Sequence, residues 1–222
     1  MNPNLARDEL RIWIISLDRL ATTCDWELLD DIECRRAERF ALGVDRSRFV
    51  VAHASLRRIL FHHTGIAPQQ LQFRNGPQGK PYVDVGERPR PIQFNLAHSG
   101  SVAALAVQLQ TEVGVDVERI ERIRDAAAIA RRYFHPDETA WLDERRNEVR
   151  NQCFLKLWTM KEACIKASGI GLSKSLDSYC MVGTNRQTEL IVNPLSLRSG
   201  YCGAVAYRPP PLHVVVRQYA SS

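Results

Sequence analysis

Ser101-Val-Ala-Ala-Leu-Ala-Val-Gln-Leu-Gln-Thr-Glu-Val-Gly-Val-Asp-Val-Glu-Arg-Ile120 is the stretch on which the fold turns. It reads as two buried strands, Ser101 to Leu109 and Glu112 to Ile120, with a very short connection. In the second, Val115 and Val117 alternate with Gly114, Asp116 and Glu118. Alternate residues of a strand face the same way, so the valines are left for the core and the two carboxylates point together. Adjacent carboxylates repel unless a cation or a proton lies between them.

The chain divides around this stretch. Before it come a strand, Glu9 to Leu17, and a broken helical pattern, Leu28 to Leu42. A clearer amphipathic helix follows, Asp45 to His63, with Phe49, Ala52, Leu56, Ile59 and Leu60 at three- and four-residue steps. Gly65 and Pro68 end it. Short strands follow at Leu71 to Phe73, Pro81 to Val85 and Ile92 to Asn95, the first two separated by the turn cluster Asn75-Gly-Pro-Gln-Gly79. After the stretch, helices return at Ala126 to Tyr133, from Pro136 to about Arg146, and from Arg150 to Ser168, where Gly169 stops the last. The end is strands again: Ser178 to Val182, Glu189 to Val192, Tyr201 to Tyr207 and Leu212 to Tyr219. The order predicts an α+β fold of two similar, pseudo-symmetric halves, each a small, mostly antiparallel sheet with packed helices. Residues 1–110 form one and 111–222, with Asp116 and Glu118, the other. No residue-level repeat accompanies this symmetry. A cleft between such halves is a natural ligand site.

Composition narrows the partners. Lys and Arg number 30 against 25 Asp and Glu, a net charge of +5. A cluster of the positive charge is arginine between residues 35 and 58: Arg35, Arg36, Arg39, Arg46, Arg48, Arg57 and Arg58. Such a face suits phosphates or an acidic partner, but charge alone favours the plainer reading, a solvated basic helix face. No run of about 18 apolar residues is present, which excludes a membrane-spanning helix. The short apolar run Ile12 to Ile15 follows Asp8 and Glu9 and does not read as a signal peptide, so the expected location is the cytoplasm. The six cysteines make no C-x-x-C pair and the six histidines no zinc spacing, so reduced thiols and no transition metal are expected.

Three further strings bear on chemistry. Trp158-Thr-Met-Lys-Glu-Ala-Cys-Ile-Lys166 places Glu162 and Lys166 four apart on one helical face, either an exposed ion pair or part of a site. Beside Asp116 and Glu118, a third carboxylate and a lysine are what phosphoryl transfer needs: ligands for a hard cation, a base, and a positive partner for developing phosphate charge. Gly79-Lys80-Pro81-Tyr82 holds a lysine out on a constrained turn. Phe94-Asn-Leu-Ala-His-Ser-Gly100 follows a strand and ends in a turn, with His98 able to meet a phosphate or to satisfy loop backbone, and Asn95 or Ser99 able to tie the loop.

In this order, at these separations, the four strings resemble the surfactin-type 4'-phosphopantetheinyl transferases over roughly residues 35 to 180. The family pattern runs G-K-P, F-N-x-S-H-S, G-[IV]-D-[IV]-E and W-x-x-K-E-[AS]-x-x-K. The resemblance implies coenzyme A as substrate, bound in the cleft between the halves. It implies magnesium as cofactor, held by Asp116, Glu118 and Glu162. Glu162 and Lys166 are the implied catalytic residues, the first helping to deprotonate a carrier serine and the second meeting charge on the departing 3',5'-ADP. Arg48, Lys80, Pro81, His98 and Lys166 are the implied coenzyme A contacts. Acyl or peptidyl carrier domains are the implied partners of a monomeric enzyme, without nucleic acid or membrane. Ala97 departs from the pattern, which often has serine there. Two other classes compete: a coenzyme A binder without catalysis, which has no need of Glu162 and Lys166, and a basic nucleic-acid-binding protein, which explains only the charge.

Overall fold

The computed structural model describes residues 5–6, 8–76, 79–84, 92–109, 111–169, 176–183, 189–209 and 213–220. The chain begins with β1 (Glu9–Ser16), a single-turn helix α1 (Thr23–Trp26), α2 (Asp31–Glu38) and α3 (Gly43–Thr64). The strands β2 (Phe73–Asn75), β3 (Pro81–Val83), β4 (Ile92–Ser99), β5 (Val102–Leu109) and β6 (Val113–Arg119) follow. Then come α4 (Ala126–Tyr133), α5 (Pro136–Asp143), α6 (Asn147–Ser168), β7 (Ile191–Pro194), β8 (Tyr201–Tyr207) and β9 (His213–Tyr219).

The local signals act as the residues dictate. Asp30 caps α2 by accepting from the Ile32 and Glu33 amides, and Glu33 returns a bond to the Asp30 amide. The two long helices each end on a left-handed glycine, Gly65 (φ 69°) after α3 and Gly169 (φ 63°) after α6.

Two sheets stack between the long helices. The first has the order β4-β5-β1-β9 and the second β6-β8-β7, with β2 and β3 a separate hairpin. Val51, Ala52, Leu56, Ile59 and Leu60 of α3 pack on Ala103, Leu105 and Val107 of β5. The alternate residues of the same strand, Val102, Ala104 and Ala106, meet Val113, Val115 and Val117 of β6 in the layer between the sheets. Both faces of β5 are therefore covered, which accounts for its unbroken apolar run. On the far side α6 lies against the second sheet, with Ala163, Cys164 and Ala167 clustered with Ala204 and Ala206. The architecture is α+β in two halves, as expected.

Four details differ from the sequence reading. Strand β4 runs on through His98 to Ser99, because its whole length pairs with β5. Residues 178–182 form no strand; a 3-10 turn spans Leu176–Ser178. The four-residue α1 was too short to show a period. The last strand, placed with residues 111–222 by its position in the chain, crosses back and pairs in parallel with β1. A parallel partner needs a long crossover, here most of the second half, and no local pattern announces that.

Candidate functional site

The site begins where α6 crosses β6. A Cβ on Gly114 would lie 2.2 Å from the Ala163 carbonyl oxygen and 2.3 Å from the Ala167 amide, so only glycine permits this approach. With Val115 and Val117 in the layer between the sheets, Gly114 and Asp116 face the helix. Glu162 and Lys166, one turn apart on α6, come to the same place. Asp116, Glu118, Glu162, Lys166, His98 and Trp158 line one open depression of about 440 Å³. Ala97 lines it too, while its methyl packs between the sheets.

The charges in this depression are incompletely paired. Lys166 Nζ donates to Asp116 Oδ1 at 2.5 Å. Asp116 Oδ2 is buried and has no hydrogen-bond partner among the described residues. Burial pushes the Asp116 carboxyl up to about 6; Lys166 opposes that shift, while Glu118 and Glu162 add to it. Burial likewise raises Glu162, with Lys166 again opposing. A buried, partnerless oxygen beside two more carboxylates fits a hard divalent cation with oxygen ligands. The three carboxylates are not drawn into one tight cluster. Among the described residues, the one trio of metal-binding side chains whose ligand atoms all lie within 4.8 Å of one another is His135, Asp137 and Cys180. There His135 Nδ1 already accepts from the Asp137 amide at 3.2 Å, as the cap of α5. Lys166 supplies the positive charge that the repelling carboxylates of the depression require.

A second hollow of about 230 Å³ adjoins the first through Lys166 and holds Gly79, Lys80, Pro81 and Asn95. Lys80 is not held out to solvent. It is half-buried, and its Nζ donates to the Val113 carbonyl at 2.9 Å. Burial lowers it to about 8, against the nearby charge of Glu112. Asn95 and Ser99 tie the two halves together, not a loop. Asn95 Oδ1 accepts from the Val115 amide at 2.8 Å. Ser99 Oγ donates to Glu118 Oε2 at 2.8 Å and accepts from the Arg119 amide at 3.1 Å. The pattern around Phe94 thus sets the register between β4 and β6, and with it the aim of Glu118.

His98 is solvent-exposed at the edge of the depression. The walls around its ring, then the charges of His53, Arg36 and Lys166, hold it below the usual histidine value. Arg36 lines neither hollow, but the packing of α2 beside α3 brings its charge near His98, which sequence reasoning did not show. Arg48 lines neither hollow and reaches Asp45 at 3.4 Å. Two of the remaining arginines turn toward acidic partners inside the half, Arg57 wholly and Arg58 in part. Arg57 is fully buried, bonded to Glu33 and Asp30, and Arg58 bonds Asp25 at 2.8 Å. Arg35, Arg36, Arg39 and Arg46 are exposed. A larger open cavity of about 650 Å³ lies past the end of β6, among Ile120, Arg122, Ala126 and Gln152, and contains none of the four strings.

Known proteins resemble this chain over both halves. The family described as 4'-phosphopantetheinyl transferase, N-terminal, matches residues 17–110, and the 4'-phosphopantetheinyl transferase superfamily matches residues 112–205. The chain is 34% identical over 180 residues to the 4'-phosphopantetheinyl transferase HetI of a Nostoc species, covering 78% of this chain and 74% of that one. It is 34% identical over 185 residues to the 4'-phosphopantetheinyl transferase psf-1 of Bacillus pumilus, covering 78% and 76%. To the 4'-phosphopantetheinyl transferase Sfp of Bacillus subtilis it is 29% identical over 145 residues, covering 65% and 62%. With both halves matched in order and the four strings gathered at the seam between them, this chain belongs to the 4'-phosphopantetheinyl transferase superfamily.

Proposed function

We propose that this chain transfers the 4'-phosphopantetheine group of coenzyme A to a serine of an acyl or peptidyl carrier protein, giving holo carrier and 3',5'-ADP. The observation that carries this reading is the partnerless Asp116 Oδ2, buried beside Glu118, Glu162 and Lys166 in an open depression. Magnesium is the cation these oxygens suit, and when bound it would neutralise charge on the diphosphate. Asp116, Glu118 and Glu162 are its ligands in this reading.

The chain's own residues do the rest. Glu162, whose pKa is raised by burial, is placed to take the proton of the carrier serine. Lys166 is poised between the two hollows and can leave Asp116 for the phosphate that departs. Lys80, Pro81 and His98 border the space for the nucleotide, with Arg48 an outer contact. Asn95 and Ser99 hold the two walls in register. The enzyme would act as a monomer in the cytoplasm; no described helix is long and apolar enough to cross a membrane. Neither rival class, the silent coenzyme A binder or the nucleic-acid-binding protein, is favoured by any observation at the site.

Mass spectrometry of an apo carrier protein incubated with the chain, coenzyme A and magnesium tests this reading. The expected result is a carrier heavier by one phosphopantetheine, formed only when the metal is present. A carrier of unchanged mass, with coenzyme A bound to the chain, would return the reading to that of a binder.

A further inference from the structure

We propose that Lys161 and Glu138 act as a positioning pair for the transfer reaction: a buried ion pair that sets the rotation of α6 and thereby aims Glu162 and Lys166 at Asp116. The proposal rests on the reading of Glu162 and Lys166 as site residues.

Lys161 sits next to Glu162 in sequence, but neighbours on a helix point about 100° apart. Glu162 faces the depression, whereas Lys161 is fully buried and takes no part in lining it. Its Nζ donates to Glu138 Oε2 at 2.5 Å and also to the Tyr179 carbonyl. It lies 5.1 Å from the centre of the Phe134 ring. Glu138 is equally buried and fully used. Its Oε2 accepts from the His135 amide at 3.0 Å, closing the cap of α5, and its Oε1 accepts from the Met181 amide at 2.8 Å. One pair of charges thus ties α6 to the start of α5 and to the segment around residues 179–181.

Stability alone does not explain this arrangement. Replacing a buried ion pair with apolar groups of similar size is often neutral or stabilising. What the pair supplies is direction. On the other side of α6, the helix rests on Gly114 with no room for a Cβ. That contact fixes how near the helix lies; the Lys161–Glu138 pair, on a different face, fixes how far it is turned. The same side carries Trp158, which lines the depression and lies 6.3 Å from Phe134, ring to ring. A helix turned by one side chain's width would move Glu162 and Lys166 off Asp116 while leaving the apolar packing largely filled.

The test is the double variant Glu138→Leu/Lys161→Met, which removes both charges and keeps the volume. It strands the His135 and Met181 amides and the Tyr179 carbonyl, so it is expected to fold but to melt below the wild type. Its kcat at saturating coenzyme A and carrier should fall about 10-fold, and its magnesium affinity by calorimetry should weaken by a similar factor, as for other groups that orient metal ligands. KM for coenzyme A should change little. A folded double variant with wild-type kcat and magnesium affinity would overturn the proposal. If that variant does not fold, Glu138→Gln decides: it keeps one acceptor oxygen, gives up one of the two backbone amides and removes the charge opposite Lys161, and wild-type values there overturn the proposal equally. Glu162→Gln run alongside separates the layers. Lost turnover in Glu162→Gln with an unaffected double variant sinks the positioning pair alone. Retained turnover in Glu162→Gln sinks the reading of the site, and the positioning pair with it.

Discussion

Arg57 and Asp116 are both buried charged side chains, yet their surroundings differ in kind. Arg57 Nε donates to Glu33 at 2.7 Å and Nη2 to Asp30 at 2.7 Å. Its Nη1 donates to the carbonyls of Pro68 and Leu71 at 2.8 and 3.0 Å, and the guanidinium lies 4.9 Å from the centre of the Phe73 ring. Glu33 in turn bonds His53 at 2.7 Å. Asp116 has one charged partner, Lys166, and one oxygen with none among the described residues. A buried charge that is fully bonded holds a fold together; one left partly bonded costs stability and is retained for what it binds. The Lys161–Glu138 pair is as fully bonded as Arg57, but its place one residue from Glu162 adds a second role, the aim of α6.

The sharpest way to break this comparison is to remove each charge in turn. Arg57→Met strands Glu33 and should destabilise the protein by about 3–5 kcal/mol, while the folded fraction keeps its turnover. Asp116→Ala should do the reverse. Transfer should fall by about 10³-fold or more, and unfolding in denaturant should shift little, or toward greater stability. Equal stability losses in the two variants would show that the two clusters are not different in kind.

Lys166 gives the next largest effect. Lys166→Met removes the cation that now sits on Asp116 Oδ1. Turnover should drop by about 10²- to 10³-fold, because charge that develops on the leaving phosphate loses its partner. Magnesium affinity should hold or improve, since a competitor for Asp116 is gone. Calorimetry showing markedly weaker magnesium binding in this variant would mean that Lys166 supports the ligand set instead of competing with it.

Much of this contrast was legible in the sequence, and the reason is the reach of each signal. The alternation in Gly114 to Glu118 and the four-residue spacing of Glu162 and Lys166 are local, so each face could be read from spacing alone. The continuous apolar run of β5 likewise declared a strand covered on both sides. What could not be read depends on distant partners. Arg57 and Arg58 look no different in sequence from Arg35 and Arg39, yet they turn inward, because Asp25, Asp30 and Glu33 wait there. Asn95 reads as a strand end able to tie the next loop until β6 is laid beside β4. Lys161 reads as part of a motif, and only the fold brings Glu138 to it from 23 residues away.

The pH dependence of magnesium binding sharpens the comparison on the Asp116 side. Its folded pKa of about 6 lies above its ordinary value of 3.8, so the folded protein without metal holds the proton more tightly than the unfolded chain. The stability this confers is complete below pH 3.8 and is lost as pH rises through about 6. A ligand must give up that proton to bind a cation. Magnesium affinity should therefore rise by up to about 10-fold per pH unit below pH 6 and level off above it. Calorimetry in buffers of different ionisation enthalpy should show proton release at pH 5.5 and little at pH 7.5. An affinity flat across that range would place Asp116 outside the ligand set.

The smallest effect belongs to the arginines that stayed outside. Arg35, Arg36 and Arg39 are exposed on or just after α2, and carrier proteins of the kind proposed are typically acidic. Exposed charges act over about a Debye length, 10 Å at 0.1 M salt, so they steer encounter more than they tighten the final complex. Arg35→Glu with Arg39→Glu should slow carrier association by about 10-fold at low salt and flatten its salt dependence, leaving coenzyme A affinity alone. Arg36 should behave differently. Its guanidinium lies 5.2 Å from the centre of the Phe49 ring, and its charge reaches His98 at the edge of the depression. Arg36→Glu should slow association and also weaken coenzyme A. Stopped-flow association rates at two salt concentrations, paired with coenzyme A titrations, separate these cases. If all three reversals act alike on association and none touches coenzyme A, the influence of Arg36 ends at the carrier surface. If none changes either quantity, this basic face is solvated helix and the carrier docks elsewhere.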